Sequence, residues 1–295
     1  MIEIKNRRHM LFLPANNPAM YKDVIIYKPD TIMFDLEDAV DPNEKDSARD
    51  LFVSMLNYID YNKFNIETCV RINGDDTEWF LNDLEAAIQA KVNMIRLPKV
   101  DNPSQVEKVE QLLEELEQKY KLNYKTKLFI AIESALGVLN AFDICKSSSR
   151  VVGIALGGFD YLLDLNAKKI EAKRWELLYA RQHLIHVASA LKIDSFDVVF
   201  GNVLDQKGFE EEFKFIKALG FSGKSVIHPK QIEIIDKLTT PSKEEIEEAK
   251  LIIKEFEINS KKGIGVFKLN NKMVDRPVYI EAMRVVSLAK KLGAI

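Results

Sequence analysis

The 295-residue chain is poor in the side chains that soft metals and redox chemistry require, with four His and two Cys. Cys69 and Cys145 are too few for a disulfide framework or a thiolate cluster, which points to a reducing, cytoplasmic setting. Their apolar neighbours mark both as small buried hydrophobes. No stretch approaches the ~20 apolar residues that cross a bilayer, and the opening MIEIKNRRHMLFLP lacks a run long enough for a secretory signal. Neither sign of charge dominates. Lys plus Arg is 42 against 45 for Asp plus Glu, a net charge of -3, which argues against a surface built for nucleic acid. Three fingerprints are also missing. No G-x-G-x-x-G follows the first strand, no G-x-x-x-x-G-K-[ST] occurs, and no nucleophile elbow supports a Ser-His-Asp arrangement.

What is present is regular. Hydrophobic residues make up 47%, ample for a buried core. Short apolar or branched runs recur at 10–13, 31–37, 67–73, 93–98, 128–133, 151–157, 196–201 and 223–228, each followed by a helical pattern. Residues 44–59 and 103–120 are examples, the second with Pro103 near its start. Near-continuous apolar strands predict a parallel sheet covered on both faces, and eight strand–helix units are the number that closes a TIM (β/α)8 barrel. The expected division is a barrel over 1–238 and a helical and hairpin extension over 239–295, which packs on the barrel or on a neighbouring subunit. Within the extension, Ser242 and Glu245 form a capping box, and Asn270-Asn271 is the turn of a hairpin. Gly153, Gly157 and Gly158 around the sixth strand read as close packing and a tight turn.

Barrel sites form at the C-terminal strand ends. The second strand ends in Asp35, Glu37 and Asp38; the third in Arg71 and Asn73; the fourth in Arg96 and Lys99; the fifth in Glu133; the sixth in Asp160; the eighth in His228. Carboxylates from different strands converging on one cavity repel unless a cation intervenes, so Glu133 and Asp160 are candidate oxygen ligands for Mg²⁺. The scarcity of His and Cys argues against zinc or iron. Each residue also has a plainer reading. Asp35 and Asp38 either face the site or cap helices and pair with arginines. Arg71 is either an anion clamp or a salt-bridge partner, Lys99 either neutralises developing charge or is solvated, Asp41 and Asp46 serve as helix-start residues, and His228 is either a catalytic base or a turn or helix-start residue. His9 lies at the end away from the mouth, and His183 and His186 sit on a helix.

Several blocks carry more than this pattern: 7–20 (RRHMLFLPANNPAM), 32–49 (IMFDLEDAVDPNEKDSAR), 70–77 (VRINGDDT), 95–100 (IRLPKV), 130–141 (IAIESALGVLNA), 152–161 (VGIALGGFDY), 208–232 and 265–278 (GVFKLNNKMVDRPV). In these the chain resembles the citrate lyase beta-subunit family, within the wider group of citramalyl- and malyl-CoA-type lyases. The resemblance implies cleavage of citryl-CoA, or of citryl on an acyl carrier protein, to oxaloacetate and the acetyl thioester. It implies Mg²⁺ on Glu133 and Asp160, substrate gripped by Arg71, and Glu37 and Asp38 supporting the metal waters and the arginine. Arg8 and Lys99 are its candidate cofactor-binding side chains. Asp275 is expected to enter a neighbouring subunit's site and handle a proton while the carbon–carbon bond breaks in a retro-Claisen step and the thioester leaves as an enolate. Alpha and gamma subunits, and a homotrimer or larger oligomer, are the implied partners; membrane and nucleic acid are not.

The chain departs from the family's usual pattern at Ala15 (Gly), at Leu136 and Phe159 (acidic residues), at Gly201 and Asn202 (Ser and Asp), and in Lys-rich 166–176, which lacks a Pro-Asp-Gly turn. These changes leave open a lyase or thioesterase for citramalyl- or malyl-CoA, and a non-catalytic structural or regulatory member.

Overall fold

In a computed structural model that describes residues 7–168 and 175–295, the apolar runs become eight parallel strands closed into a barrel. The strands are β1 (His9–Pro14), β2 (Thr31–Asp35), β3 (Glu67–Arg71), β4 (Met94–Leu97), β5 (Lys127–Ile132), β6 (Val151–Leu156), β7 (Asp194–Asp197) and β8 (Gly223–Val226). β8 pairs back onto β1, so no edge is left open. The intervening helices are α1 (Pro18–Tyr27), α2 (Lys45–Tyr58), α3 (Phe80–Gln89), α4 (Pro103–Lys119), α5 (Ala135–Lys146), α6 (Gly158–Asp164), α7 (Leu178–Leu191), α8 (Gln206–Leu219) and α9 (Pro229–Thr239). This is the TIM barrel expected from the alternation.

Two-residue periodicity sorts the strand side chains. Met10, Met33, Cys69, Met94, Phe129, Ala155 and Phe196 pack together inside the barrel as one apolar layer, with Phe12 against it. The alternate residues, such as Leu11, Phe34, Val70, Ile95 and Ile130, turn outward under the helices. On that outer side Phe34 stacks on Tyr21 at 4.9 Å and tilts against Phe52 and Tyr61. Two residues beyond the apolar layer, toward the C-terminal strand ends, the inner face carries Asp35, Arg71 and Arg96, and Glu133 follows four residues beyond Phe129, just past its strand. The register sets Asp35 beside Arg71 and Arg71 beside Arg96. Gly153 is needed inside, because a Cβ there would strike the Phe129 ring.

The seventh strand corrects the sequence reading. It spans Asp194–Asp197 rather than 196–201, and Val198 to Gly201 lie beyond it. Polar residues hid it. Asp194 pairs with Arg7, while Asp197 accepts Arg181 Nε at 2.8 Å and Lys224 Nζ at 2.8 Å, all three buried between strands and helices. Lys224 also reaches Glu212 at 2.6 Å and the Val198 carbonyl at 2.7 Å. Two cations and two carboxylates thus share one dry pocket, a charge balance that makes such burial tolerable.

The described residues form two compact units, Arg7–Ile235 and Asp236–Ile295, the division falling within α9. The second unit contains α10 (Lys243–Lys261), a hairpin of β9 (Phe267–Leu269) and β10 (Lys272–Val274), and α11 (Arg276–Lys291). Ser242 and Glu245 make the expected capping box. The hairpin turns at Asn270 and Asn271, whose φ angles of 48° and 63° suit an Asn pair in the left-handed region. Phe256 stacks on Tyr279 at 4.5 Å and tilts against Phe267, which ties both helices and the hairpin together.

Candidate active site

The loop after β2 is the most heavily braced part of the mouth. Asp35 accepts the backbone N–H groups of Glu37 at 3.0 Å and Ala39 at 3.2 Å, and it takes the Arg71 fork through Nε at 2.8 Å and Nη2 at 2.7 Å. Asp35 therefore pairs with an arginine, one of its two plain readings, but it caps no helix and instead braces the turn at 37–39. Arg71 Nη1 lies 2.8 Å from Glu37 and 3.3 Å from Asp38. Burial pulls the Arg71 guanidinium down, but three carboxylates outweigh it and hold it above its ordinary value. From below, buried Lys45 donates to the carbonyls of Leu36 and Glu37, at 2.7 and 2.6 Å. Asn73 donates to the Leu36 carbonyl and is itself held by Asp83, which Arg49 pairs with. Asn73 is thus a scaffold residue.

Lys99 crosses the mouth to Glu37 at 2.9 Å. Its φ of 51° places a non-glycine residue in the left-handed region, a strained backbone just past the fourth strand. Burial pushes the Glu37 carboxyl up, against the pull of Arg71 and Lys99.

Glu133, just past β5, is differently placed. It is 4% exposed, and its Oε2 is buried with no hydrogen-bond partner among the described residues. Its carboxyl is pushed up to about 7, by burial first and by the charges of Glu37 and Asp160, against Arg96 and Arg71. Gly157 backs it closely, since a Cβ there would lie 2.5 Å from Glu133 Cγ. Asp160 stands not at a strand end but in the first turn of α6, half-buried and without an ion pair among the described residues. No group of three or more His, Cys, Asp and Glu among the described residues could hold a metal by itself. An orphaned buried carboxylate oxygen beside a second carboxylate fits an oxygen-seeking ion that keeps most of its waters, as Mg²⁺ does.

The other expected residues separate clearly. Arg8 is misplaced for ligand binding: it precedes β1 at the opposite end of the barrel, where its guanidinium and backbone N–H bind Asp30. Neighbouring Arg7 spans the same end from Glu67 to Asp194. Both arginines precede the first strand, so chain direction already sets them at the end away from the mouth; the ligand role of Arg8 came from the motif alone. His9 is buried there and accepts the Asp30 N–H. His228 is a helix-start residue that accepts the Lys230 N–H. Asp275 caps α11 by accepting the Val278 N–H at 3.2 Å. Ala15 is fully buried and outside the left-handed region, so it replaces Gly without backbone strain. Leu136 and Phe159 are exposed, at the starts of α5 and α6. Gly201 and Asn202 are exposed beyond β7. Of the 166–176 segment, 169–174 lie outside the described residues. Lys45 was missed, since a lysine at a helix start gives no sign of burial. Arg96 was seen only as a strand-end cation, and its lack of a carboxylate partner could not be read from the chain.

No helix among the described residues is long and apolar enough to cross a membrane. Barrels of this architecture place their chemistry at the C-terminal strand ends, and here that end carries the orphaned carboxylate and the clamped arginine. The class is a TIM-barrel enzyme. The chain belongs to the HpcH/HpaI aldolase/citrate lyase family, whose profile matches residues 8–229. It is 45% identical over 284 residues to citrate lyase subunit beta of Leuconostoc mesenteroides subsp. cremoris, covering 96% of this chain and 93% of that one. It is 30% identical to the mitochondrial citramalyl-CoA lyase of Rattus norvegicus, covering 97% and 87%. Among solved structures, protein CitE of Mycobacterium tuberculosis in complex with magnesium, acetoacetate and coenzyme A matches with a TM-score of 0.75 and 26% identity, covering 96% and 98%.

Proposed function

We propose that this chain is a Mg²⁺-dependent carbon–carbon lyase that cleaves a citryl thioester, on coenzyme A or an acyl carrier protein, to oxaloacetate and the acetyl thioester. The observation that carries the reading is the buried, unpartnered Glu133 Oε2 at the mouth of a barrel, in a chain 45% identical to a citrate lyase beta subunit over nearly its whole length. Glu133 and Asp160 are the groups that would hold Mg²⁺, which when bound supplies electrostatic stabilisation to the oxygens of the 2-hydroxy acid.

The chain's own residues do the rest. Asp35 fixes the plane of the Arg71 fork. Asp38, the most exposed of the three arginine-bound carboxylates and the farthest from it, is the one that a substrate carboxylate displaces from Nη1. Lys99 and Arg71 keep Glu37 from repelling that carboxylate. A base takes the hydroxyl proton, the carbon–carbon bond breaks as the oxo-acid carbonyl forms, and the bond's electron pair passes to the carbon alpha to the thioester as an enolate, which is then protonated at that carbon. Asp275, held by the Val278 N–H, is the proposed proton-handling group, presented by a neighbouring subunit in a homo-oligomer. Cytoplasmic placement and alpha and gamma partners belong to the same reading.

Identity to a citramalyl-CoA lyase supports one second reading, a related hydroxyacyl-CoA as substrate. A coupled assay decides between them. Purified protein with Mg²⁺ should release oxaloacetate from citryl-CoA and stop when EDTA is added, and Asp275→Asn should turn over more slowly at unchanged Mg²⁺ affinity. Pyruvate from citramalyl-CoA with no oxaloacetate from citryl-CoA would select the second reading.

A further inference from the structure

Arg96 sits on the inner face of β4, one strand from Arg71 and in register with it. The two guanidinium groups share the ring of Phe12, at 5.3 Å for Arg71 and 5.4 Å for Arg96. Their partners differ sharply. Arg71 is bound by three carboxylates. Arg96 is 4% exposed and makes no ion pair within 4.0 Å among the described residues. Among the described residues its one side-chain hydrogen bond is from Nη1 to Ser225 Oγ across the barrel, a long 3.3 Å, and its Nε is buried with no partner. A dry, unpaired guanidinium is among the costliest groups a fold can keep. The nearby carboxylates attract Arg96 but none of them pairs with it: Asp35 and Glu37 are taken by Arg71 and Lys99, and Glu133 is the group proposed to meet the metal.

We infer that Arg96 is a specificity-determining residue that binds the second carboxylate of the substrate's oxo-acid half. This rests on the proposed lyase function and narrows it. A citryl thioester carries a carboxymethyl group where a citramalyl thioester carries a methyl, so only the citryl substrate brings an anion to neutralise a buried fork. A site with an unpaired buried cation discriminates against the methyl analogue, because binding that analogue leaves the cation stranded.

The test is a selectivity ratio. The wild-type protein is assayed with Mg²⁺ on citryl-CoA and citramalyl-CoA, then Arg96→Met and Arg96→Lys are assayed on both. In Arg96→Met the ratio of kcat/KM for citryl over citramalyl should fall about 100-fold or more, as expected for removing one partner of a buried charge pair. Arg96→Lys keeps the charge without the fork and should fall between. Competition by the products gives a second readout that does not depend on citryl turnover. Oxaloacetate should lose affinity in Arg96→Met far more than pyruvate, which lacks the second carboxylate. Equal losses for both members of either pair, or an unchanged ratio, would overturn the assignment. Absence of citryl-CoA cleavage by the wild-type protein would instead sink the citryl-thioester reading on which the assignment rests.

Discussion

Gly157→Ala isolates the support behind Glu133. The glycine has φ -89° and ψ 80°, so alanine meets no backbone penalty there. The obstacle is the Glu133 side chain alone: the new Cβ would lie 2.5 Å from Cγ, 2.8 Å from Cδ and 2.9 Å from Oε1. Carbon atoms rest about 3.5–4.0 Å apart, so the carboxyl group must retreat by about 1 Å. Overpacking of this size costs about 1–3 kcal/mol of stability, and a displacement of ~1 Å in a positioned group costs about 100-fold in rate. Isothermal titration should show Mg²⁺ affinity at least about tenfold weaker, consistent with the loss on disturbing a ligand's supporting groups. Glu133→Ala removes the obstacle. In that background Gly157→Ala should cost almost nothing in a urea titration, and the cycle should return a coupling of about 1–3 kcal/mol. Wild-type Mg²⁺ affinity in Gly157→Ala, or additive stability losses in the cycle, would refute the reasoning.

The remaining predictions concern stability. Lys224→Met strips Asp197 and Glu212 of one of their two cations in a dry pocket and should cost about 3–5 kcal/mol in urea unfolding. Glu117 is raised by burial, but Arg150 and the Thr126 N–H outweigh that and hold its carboxyl below the usual range. Its stabilisation is therefore complete above the unfolded value near 4.3 and is lost as pH falls through the lower folded value. Glu117→Gln should destabilise by about 1–3 kcal/mol at pH 7, and its urea midpoint should converge on the wild type's in acid. Ser242→Ala removes a capping-box acceptor and should cost about 1 kcal/mol by thermal denaturation.

Much of the molecule was legible along the chain because strand and helix patterns are local. Eight apolar runs, each followed by a helix, fit a closed barrel or an open doubly wound sheet, and the missing phosphate fingerprint selects the barrel; the strand direction already says which end each polar residue occupies. That is why Glu133, Arg71, Glu37, Asp38 and Lys99 could be placed at the mouth before any coordinates. The hairpin at Asn270-Asn271 and the cap at Ser242 were legible for the same reason. β7 was read two residues late because Asp194 and Asp197 break its apolar pattern, and Arg8 was assigned to a ligand although it binds Asp30 at the far end.

Charge pairing was beyond the chain's reach. Asp197 reads as a turn residue until Lys224 and Arg181 close on it, and Arg7 bridges residues of β3 and β7 that meet only when the barrel shuts. Sequence determined which residue types stand at the strand ends. Tertiary structure alone decided which of them are neutralised, as Arg71 is, and which are buried without a partner among the described residues, as Glu133 Oε2 and Arg96 Nε are. The reason is physical: the cost of a buried charge depends on atoms brought within a few ångströms by closure of the barrel, and the Arg96 guanidinium meets its one hydrogen-bond partner among the described residues, Ser225, from 129 positions away.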